Sequence, residues 1–213
     1  MSPAKYIDHT LLKPTATISE IKQLCDEAKI HQFYAVCVNG CHVALAKSEL
    51  KDSDIKIAAV IGFPLGAMST QAKIAEARDC MEQGADEIDM VINIGWLKSK
   101  QDSMVLREIG AIKNVAGEKP LKVILETCYL TNEEKELACR LAVKAGADFV
   151  KTSTGFGSGG ATFDDVVLMK RIVGSNARIK ASGGIRDRLT ALKYIELGAS
   201  RIGTSSGPSI VKP

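Results

Sequence analysis

One three-residue phrase recurs at the same kind of place in this chain. Gly84-Ala85-Asp86, Gly146-Ala147-Asp148 and Gly198-Ala199-Ser200 each close a helical pattern and each open an apolar run. Glycine supplies the left-handed residue that follows the last turn of a helix. A chain that ends a helix and starts a strand by one device three times is built from repeated αβ units. Helix starts fit the same reading: Thr17 with Glu20, Thr131 with Glu134 and Thr162 with Asp165 form capping-box patterns. Ile18, Ile21, Leu24, Cys25 and Ala28 then share one helical face.

Eight strand-like runs alternate with these helices: Tyr6–His9, Ala35–Asn39, Lys56–Gly62, Glu87–Asn93, Leu121–Glu126, Phe149–Ser153, Arg178–Ser182 and Ser200–Thr204. Alternating units of this kind form a parallel sheet covered by helices. An open doubly wound sheet and a closed (β/α)8 TIM barrel both satisfy the pattern. Eight strands favour the barrel, although 213 residues lies near its lower size limit. No linker divides the chain, so one domain over 1–213 is expected.

Strand residues alternate sides, and here one side carries charge. Glu87, Asp89, Val91 and Asn93 oppose Ile88, Met90 and Ile92. Phe149, Lys151 and Ser153 oppose Val150 and Thr152; Arg178, Lys180 and Ser182 oppose Ile179 and Ala181. Arg201, Gly203 and Ser205 oppose Ile202 and Thr204. A parallel sheet buried on both faces is ordinarily apolar on both. In a barrel the charged side converges on one axis, either as an ion-pair network or as an active site.

Lys151 and Lys180 stand on consecutive strands, about 4.8 Å apart. Two ammonium groups about 5 Å apart at an effective dielectric of about 20 repel by roughly 3 kcal/mol. That is about two pKa units, and desolvation acts in the same direction. One lysine then serves as a neutral nucleophile, the other as its activator, with Asp89 across the barrel mouth as a proton shuttle. Glycines follow at three strand ends: Gly155, Gly183-Gly184, and Gly203-Thr204-Ser205-Ser206-Gly207. Backbone N–H groups and serine hydroxyls there suit a phosphate. Gly155-Phe156-Gly157-Ser158-Gly159-Gly160 also fits a dinucleotide fingerprint. It follows the sixth strand, however, and the next strand offers Lys180 and Ser182 instead of an acid for a ribose hydroxyl.

Composition narrows the classes. Hydrophobic residues make up 46% and charged residues 25%, a globular balance. A net charge of +3 without clustered Lys and Arg argues against nucleic acid. The longest nearly apolar run, Ile57–Met68, is broken by Gly62, Pro64 and Gly66 and is too short for a bilayer. The N-terminus has neither an apolar core nor a cleavage pattern, so a cytoplasmic location with reduced cysteines is expected. Cys37-Val38-Asn39-Gly40-Cys41-His42 has the wrong spacing for haem attachment and no further ligands for zinc.

At the motif level the chain resembles the 2-deoxyribose-5-phosphate aldolases, the class I aldolases of deoxynucleoside breakdown. The marks are I-D-H-T-L-L-K-P at Ile7–Pro14, V-C-V-N at Val36–Asn39, I-G-F-P-L-G at Ile61–Gly66 and D-E-I-D-M-V-I-N-I-G at Asp86–Gly95. F-V-K-T-S-T-G-F at Phe149–Phe156, I-K-A-S-G-G-I-R at Ile179–Arg186 and R-I-G-T-S-S-G at Arg201–Gly207 complete them. The resemblance implies a (β/α)8 barrel with neither metal nor cofactor. It implies Lys151 as the Schiff-base lysine, Lys180 as its pKa-lowering neighbour, and Asp89 as general acid/base through a water. Asp8 and Thr152 would contact substrate hydroxyls or stand just behind the reacting groups. Gly155, Gly183, Gly184, Gly203, Ser205 and Ser206 would hold the phosphate. The implied reaction splits 2-deoxy-D-ribose 5-phosphate into acetaldehyde and D-glyceraldehyde 3-phosphate, and reverses it. The implied partners are these small molecules, with no nucleic acid and no membrane. The family also implies a homodimer or a monomer, and no residue pattern chooses. The alternative is another phosphate-binding barrel lyase or isomerase that uses Lys180 without an imine.

Some family members end in a tyrosine near the site. The sequence ends at Pro213 without one, so either slower proton exchange at the enamine is expected or such a tail lies beyond Pro213. Cys37 is expected to face the pocket as a bystander thiol, His9 to be structural, His31 to end a helix, and Trp96 to pack.

Overall fold

A computed structural model describes residues 2–212. Eight parallel strands close into a barrel in chain order. They are β1 (Ile7–Leu11), β2 (Ala35–Asn39), β3 (Lys56–Ile61), β4 (Glu87–Val91), β5 (Leu121–Ile124), β6 (Phe149–Lys151), β7 (Arg178–Ser182) and β8 (Arg201–Thr204). β8 returns to β1 with Ile7 opposite Ile202 and Asp8 opposite Gly203, which closes the ring. Among the described residues no helix is long and apolar enough to cross a membrane.

The repeated tripeptide does more than stop helices. Helices α1 (Ile18–His31), α2 (Val43–Glu49) and α3 (Thr70–Glu82) lead up to its first copy. Gly84 there has φ +104°, and Ala85 N–H closes the turn onto Cys80 O at 3.0 Å. Asp86 N–H then bonds Ile57 O at 2.8 Å, and its carboxylate accepts from Ile57 N–H at 3.0 Å. The aspartate thereby clips β4 to β3 and sets the register. Helices α4 (Ile94–Lys98), α5 (Asp102–Ala116) and α6 (Asn132–Lys144) precede the second copy, where Asp148 grips Leu121 through the same two bonds, at 3.0 and 2.8 Å. After α7 (Phe163–Val173) and α8 (Arg188–Glu196), Ser200 keeps only the backbone bond, to Ile179 O at 2.8 Å. A last short helix, α9, spans Gly207–Val211.

Several boundaries differ from the sequence expectation. β1 starts at Ile7 because Pro3–Tyr6 is a 3-10 turn, and it runs on to Leu11. β4 ends at Val91 because Asn93 leaves the sheet to cap α4, accepting from Trp96 N–H at 3.1 Å. β5 and β6 stop two residues early, at Ile124 and Lys151. Full capping boxes form at Thr17 and Thr131. The one at Thr162 is half made: Thr162 accepts from Asp165 N–H, but the Asp165 carboxylate is drawn to Lys135 on α6 at 2.6 Å.

The larger core lies between strands and helices and takes the outward strand residues, among them Val36, Ile57, Ile88, Met90, Val150 and Ile202. A second, small cluster fills one side of the barrel interior: Leu12, Cys37, Ala58 and Val60, with Phe63 against them. Outside the barrel, α3 and α5 bury an ion pair, Lys73 to Glu108 at 2.7 Å, and Lys73 also donates to Val91 O at 2.8 Å.

Candidate active site

The other side of the barrel interior is charged. Register places Lys151 beside Lys180 and Lys180 beside Arg201. It also places Lys122 between Asp89 and Phe149. All of these groups are buried, together with Asp8 and Glu87. Below them Arg201 lies 3.2 Å from the Tyr34 ring and Arg178 lies 4.1 Å from the Phe149 ring, which plugs the floor.

Counting charges identifies the odd member. Three carboxylates (Asp8, Glu87, Asp89) face four cations (Lys122, Lys151, Lys180, Arg201). Lys122 touches Glu87 and Asp89, each at 2.6 Å. Lys180 touches Asp8 at 2.5 Å and Asp89 at 2.9 Å. Arg201 touches Asp8 at 3.0 Å and Glu87 at 3.1 Å. Lys151 has Asp89 alone, at 2.8 Å, through the same Oδ2 that Lys180 uses. One positive charge is surplus, and the least compensated cation is Lys151.

The pKa directions agree. Burial pushes Lys151 below the ordinary lysine range; Asp89 pulls it back up and Lys180 lowers it further. This corrects the sequence argument in one respect. Repulsion from Lys180 is real, but loss of solvent is the larger cause, because Asp89 stands between the two ammonium groups and takes up much of their repulsion. Lys180 and Lys122 are buried as deeply, yet their carboxylates hold both above the ordinary range. Asp89 overcomes its own burial because Lys122, Lys151 and Lys180 crowd it, and its pKa falls well below the usual carboxylate value.

Above this network a cavity of about 280 Å³ opens at the C-terminal ends of the strands. Of the four interior cations, only Lys151 lines it. Gly155, Gly183, Gly184, Gly203 and Ser205 form its walls, and Lys13 and Arg186 stand at the rim, two cations that the sequence reading did not single out. Gly203 is a matter of room: a Cβ there would sit 3.0 Å from Lys180 Cε, so the lysine stem needs the glycine.

Two of the residues expected at the site, Thr152 and Ser206, do not line the cavity. The Thr152 hydroxyl donates to Ser182 O at 2.9 Å and accepts from Ser182 N–H at 3.0 Å, so it ties β6 to β7 and faces away from the substrate space. Strand alternation had already set it opposite Lys151. Ser206 lies behind the rim as the residue before α9, with its N–H given to Thr204 Oγ1 at 2.9 Å. Asp8 lies beneath the cavity, holding Lys180 and Arg201. Cys37 is buried inside the barrel, not at the cavity wall, and burial pushes its thiol up. His9 pairs with Glu27 at 2.6 Å, and His31 stacks on Phe33.

The model of the DeoC/LacD family aldolases matches residues 3–212. The chain belongs to this family. It is 57% identical over 211 residues to a deoxyribose-phosphate aldolase of Brevibacillus brevis, spanning 99% of this chain and 96% of the relative. It is 60% identical over 216 residues to one of Thermococcus gammatolerans, spanning 100% and 96%. Among solved structures, a putative deoxyribose-phosphate aldolase from Coccidioides immitis superposes with a TM-score of 0.96 at 44% identity, over 98% of this chain and 83% of that one. The deoxyribose phosphate aldolase of Aeropyrum pernix, described as a unique tetramer, superposes with a TM-score of 0.89 at 32% identity, over 98% and 88%. A DeoC/LacD aldolase is a carbon–carbon lyase, and the eight-stranded barrel with its buried charges is the frame on which this one works.

In this aldolase Lys122 is a third cation that the sequence reading missed. It occupies Asp89 Oδ1 and one oxygen of Glu87. Lys122→Met removes the surplus charge from the network and leaves Asp89 to Lys151 and Lys180. The Lys151 pKa is then expected to rise, so the acid limb of the pH–rate profile moves to higher pH. Stability is expected to fall by about 3–5 kcal/mol, the usual loss when one partner of a buried ion pair is removed. A pH–rate profile and a denaturant melt check the two effects; an unmoved limb rejects the charge-counting argument.

Proposed function

We propose that this aldolase cleaves 2-deoxy-D-ribose 5-phosphate to acetaldehyde and D-glyceraldehyde 3-phosphate through an imine on Lys151. The observation that carries the reading is the position of Lys151: it is the least compensated of four interior cations and the one that lines the cavity. Its neutral amine attacks the substrate aldehyde carbon, and the adduct loses water to give a protonated imine. A base removes the proton of the 3-hydroxyl, the C2–C3 bond breaks, and its electron pair flows into the imine to give an enamine. Glyceraldehyde 3-phosphate leaves. Protonation at C2 and hydrolysis of the imine release acetaldehyde and restore the amine.

Asp89 is the proton acceptor nearest to Lys151, at 2.8 Å. Three ammonium groups keep its proton affinity low, so it passes protons on, through a water for the 3-hydroxyl, and does not store them. Lys180, held charged by Asp8, keeps Lys151 depressed and assists that transfer. The phosphate is held by the backbone at Gly155, Gly183, Gly184 and Gly203 and by Ser205, with Lys13 and Arg186 adding charge at the rim. A single domain, a cytoplasmic location and assembly as a homodimer belong to the same reading; the tetramer described for the Aeropyrum relative supports self-association.

The test is chemical. Acetaldehyde plus borohydride, followed by peptide mass spectrometry, is expected to place an N-ethyl group on Lys151. Label on another lysine moves the imine off Lys151 and rejects the assignment; no label at all favours a barrel lyase or isomerase that works without an imine.

A further inference from the structure

Among the described residues, three other than glycine have a left-handed backbone, namely Gln32, Lys100 and Glu126. Gln32 ends α1, and Lys100 follows the end of α4, positions where such a conformation is routine. Glu126 ends no helix. It lies just past β5, has φ +56°, and is 2% exposed. A strained backbone under a buried carboxyl persists only where surrounding contacts require it.

Those contacts converge on the segment after Lys151. Leu125 N–H bonds Lys151 O at 2.9 Å, and Thr127 N–H bonds Thr152 O at 3.0 Å. Between them the Glu126 carboxyl accepts from Thr154 N–H, at 3.2 and 3.3 Å to its two oxygens, and from the Thr154 hydroxyl. That hydroxyl in turn accepts from Phe156 N–H at 2.9 Å. Thr154, Gly155 and Phe156 line the cavity together with Gly183–Gly184 and Gly203–Ser205. The Phe156 ring meets Phe63 edge-on at 5.3 Å, and Phe63 rests on the apolar side of the barrel interior. Packing around the carboxyl is tight: a Cβ at Gly157 would come within 3.2 Å of it and 2.8 Å of Cys128 Sγ. Burial raises the Glu126 pKa, while the Thr154 bonds and the Lys151 charge oppose that.

We propose that Glu126 is a positioning residue for the phosphate-bearing half of the substrate, acting through Thr154 to fix the Thr154–Phe156 wall. The inference rests on the functional reading above, since it assumes that this wall faces the phosphate. Glu126 does not line the cavity, so its effect is separable from the covalent chemistry. Imine formation with free acetaldehyde needs Lys151 and not the wall, whereas alignment of the phosphorylated substrate needs both.

The experiment compares the two in the same full-length protein. Glu126→Ala is expected to raise KM for 2-deoxy-D-ribose 5-phosphate about tenfold, as loss of one charge-assisted contact does. The rate of borohydride-trapped ethylation of Lys151 by acetaldehyde alone is expected to stay within about twofold of the parent. Glu126→Gln keeps an acceptor for both Thr154 donors and is expected to recover most of the lost KM. If the alanine variant does not fold, Glu126→Asp, one methylene short of Thr154, carries the same comparison. An unchanged KM, or trapping that falls in step with turnover, overturns the inference while leaving the aldolase reading intact. No label on Lys151 in the parent protein overturns the aldolase reading, and the role of Glu126 falls with it.

Discussion

Lys151→Leu is expected to lower turnover of 2-deoxy-D-ribose 5-phosphate by about four orders of magnitude or more, with the fold intact. Neither of the other interior lysines can take over. Lys180 is fixed by Asp8 at 2.5 Å and Asp89 at 2.9 Å, and Lys122 by Glu87 and Asp89 at 2.6 Å, both beneath the cavity. Stability should move the other way. An unfolded lysine titrates near pH 10.4. In the folded chain Lys151 titrates lower, because burial penalises its charge. The unfolded state therefore holds the proton more tightly, and stability of the parent rises with pH between the folded and the unfolded pKa. Below that window the folded state bears the whole cost of a buried cation. Leucine removes the cost, and Asp89 keeps Lys122 and Lys180 as partners. The variant should melt at the parent temperature or above it near neutral pH, and the difference should shrink as the pH rises through the window. Residual turnover above about a hundredth of the parent would mean that the reaction does not pass through this amine.

Much of this site could be read in the residues because the fold repeats a local device. The Gly-Ala-Asp phrase encodes both a helix stop and a strand register through the carboxylates of Asp86 and Asp148, and alternation along β4, β6 and β7 then puts Asp89, Lys151 and Lys180 on one side. What could not be read depends on register and tertiary burial. Lys122 sits in Leu121-Lys122-Val123-Ile124, which looks like a strand with one stray charge; only the pairing of Asp89 with Lys122 reveals a partner. Lys73 and Glu108 are 35 residues apart on two helices whose contact no local pattern announces. Thr152 is the instructive case. Motif resemblance left it either in contact with a substrate hydroxyl or just behind the reacting groups, and alternation along β6 favours the second; the hydrogen bonds to Ser182 follow alternation. The left-handed backbone of Glu126 has no sequence signal, since that conformation usually selects glycine or asparagine.

Asp89→Asn separates nucleophile activation from proton transfer, because the structure expects it to help one and harm the other. The amide keeps the shape but loses the charge that three ammonium groups share. Without it the Lys151 pKa should fall further, since Asp89 is the group that raises it most. Borohydride trapping at Lys151 should therefore extend to lower pH than in the parent. Turnover should nevertheless fall by about 10²- to 10⁴-fold, the range typical of a lost general acid/base. Folding should lose about 3–5 kcal/mol, because Lys122 and Lys180 are left with one carboxylate each in a buried site. That loss has its own pH signature. The Asp89 pKa is lowered in the folded state, so its contribution is complete above the unfolded value near 4 and fades as the pH falls towards the folded one. The gap between parent and variant should be widest near neutrality and narrow in acid. Trapping that weakens along with turnover would show that the carboxylate serves the attack on the aldehyde itself, and full turnover with either trapping result would remove Asp89 from the chemistry.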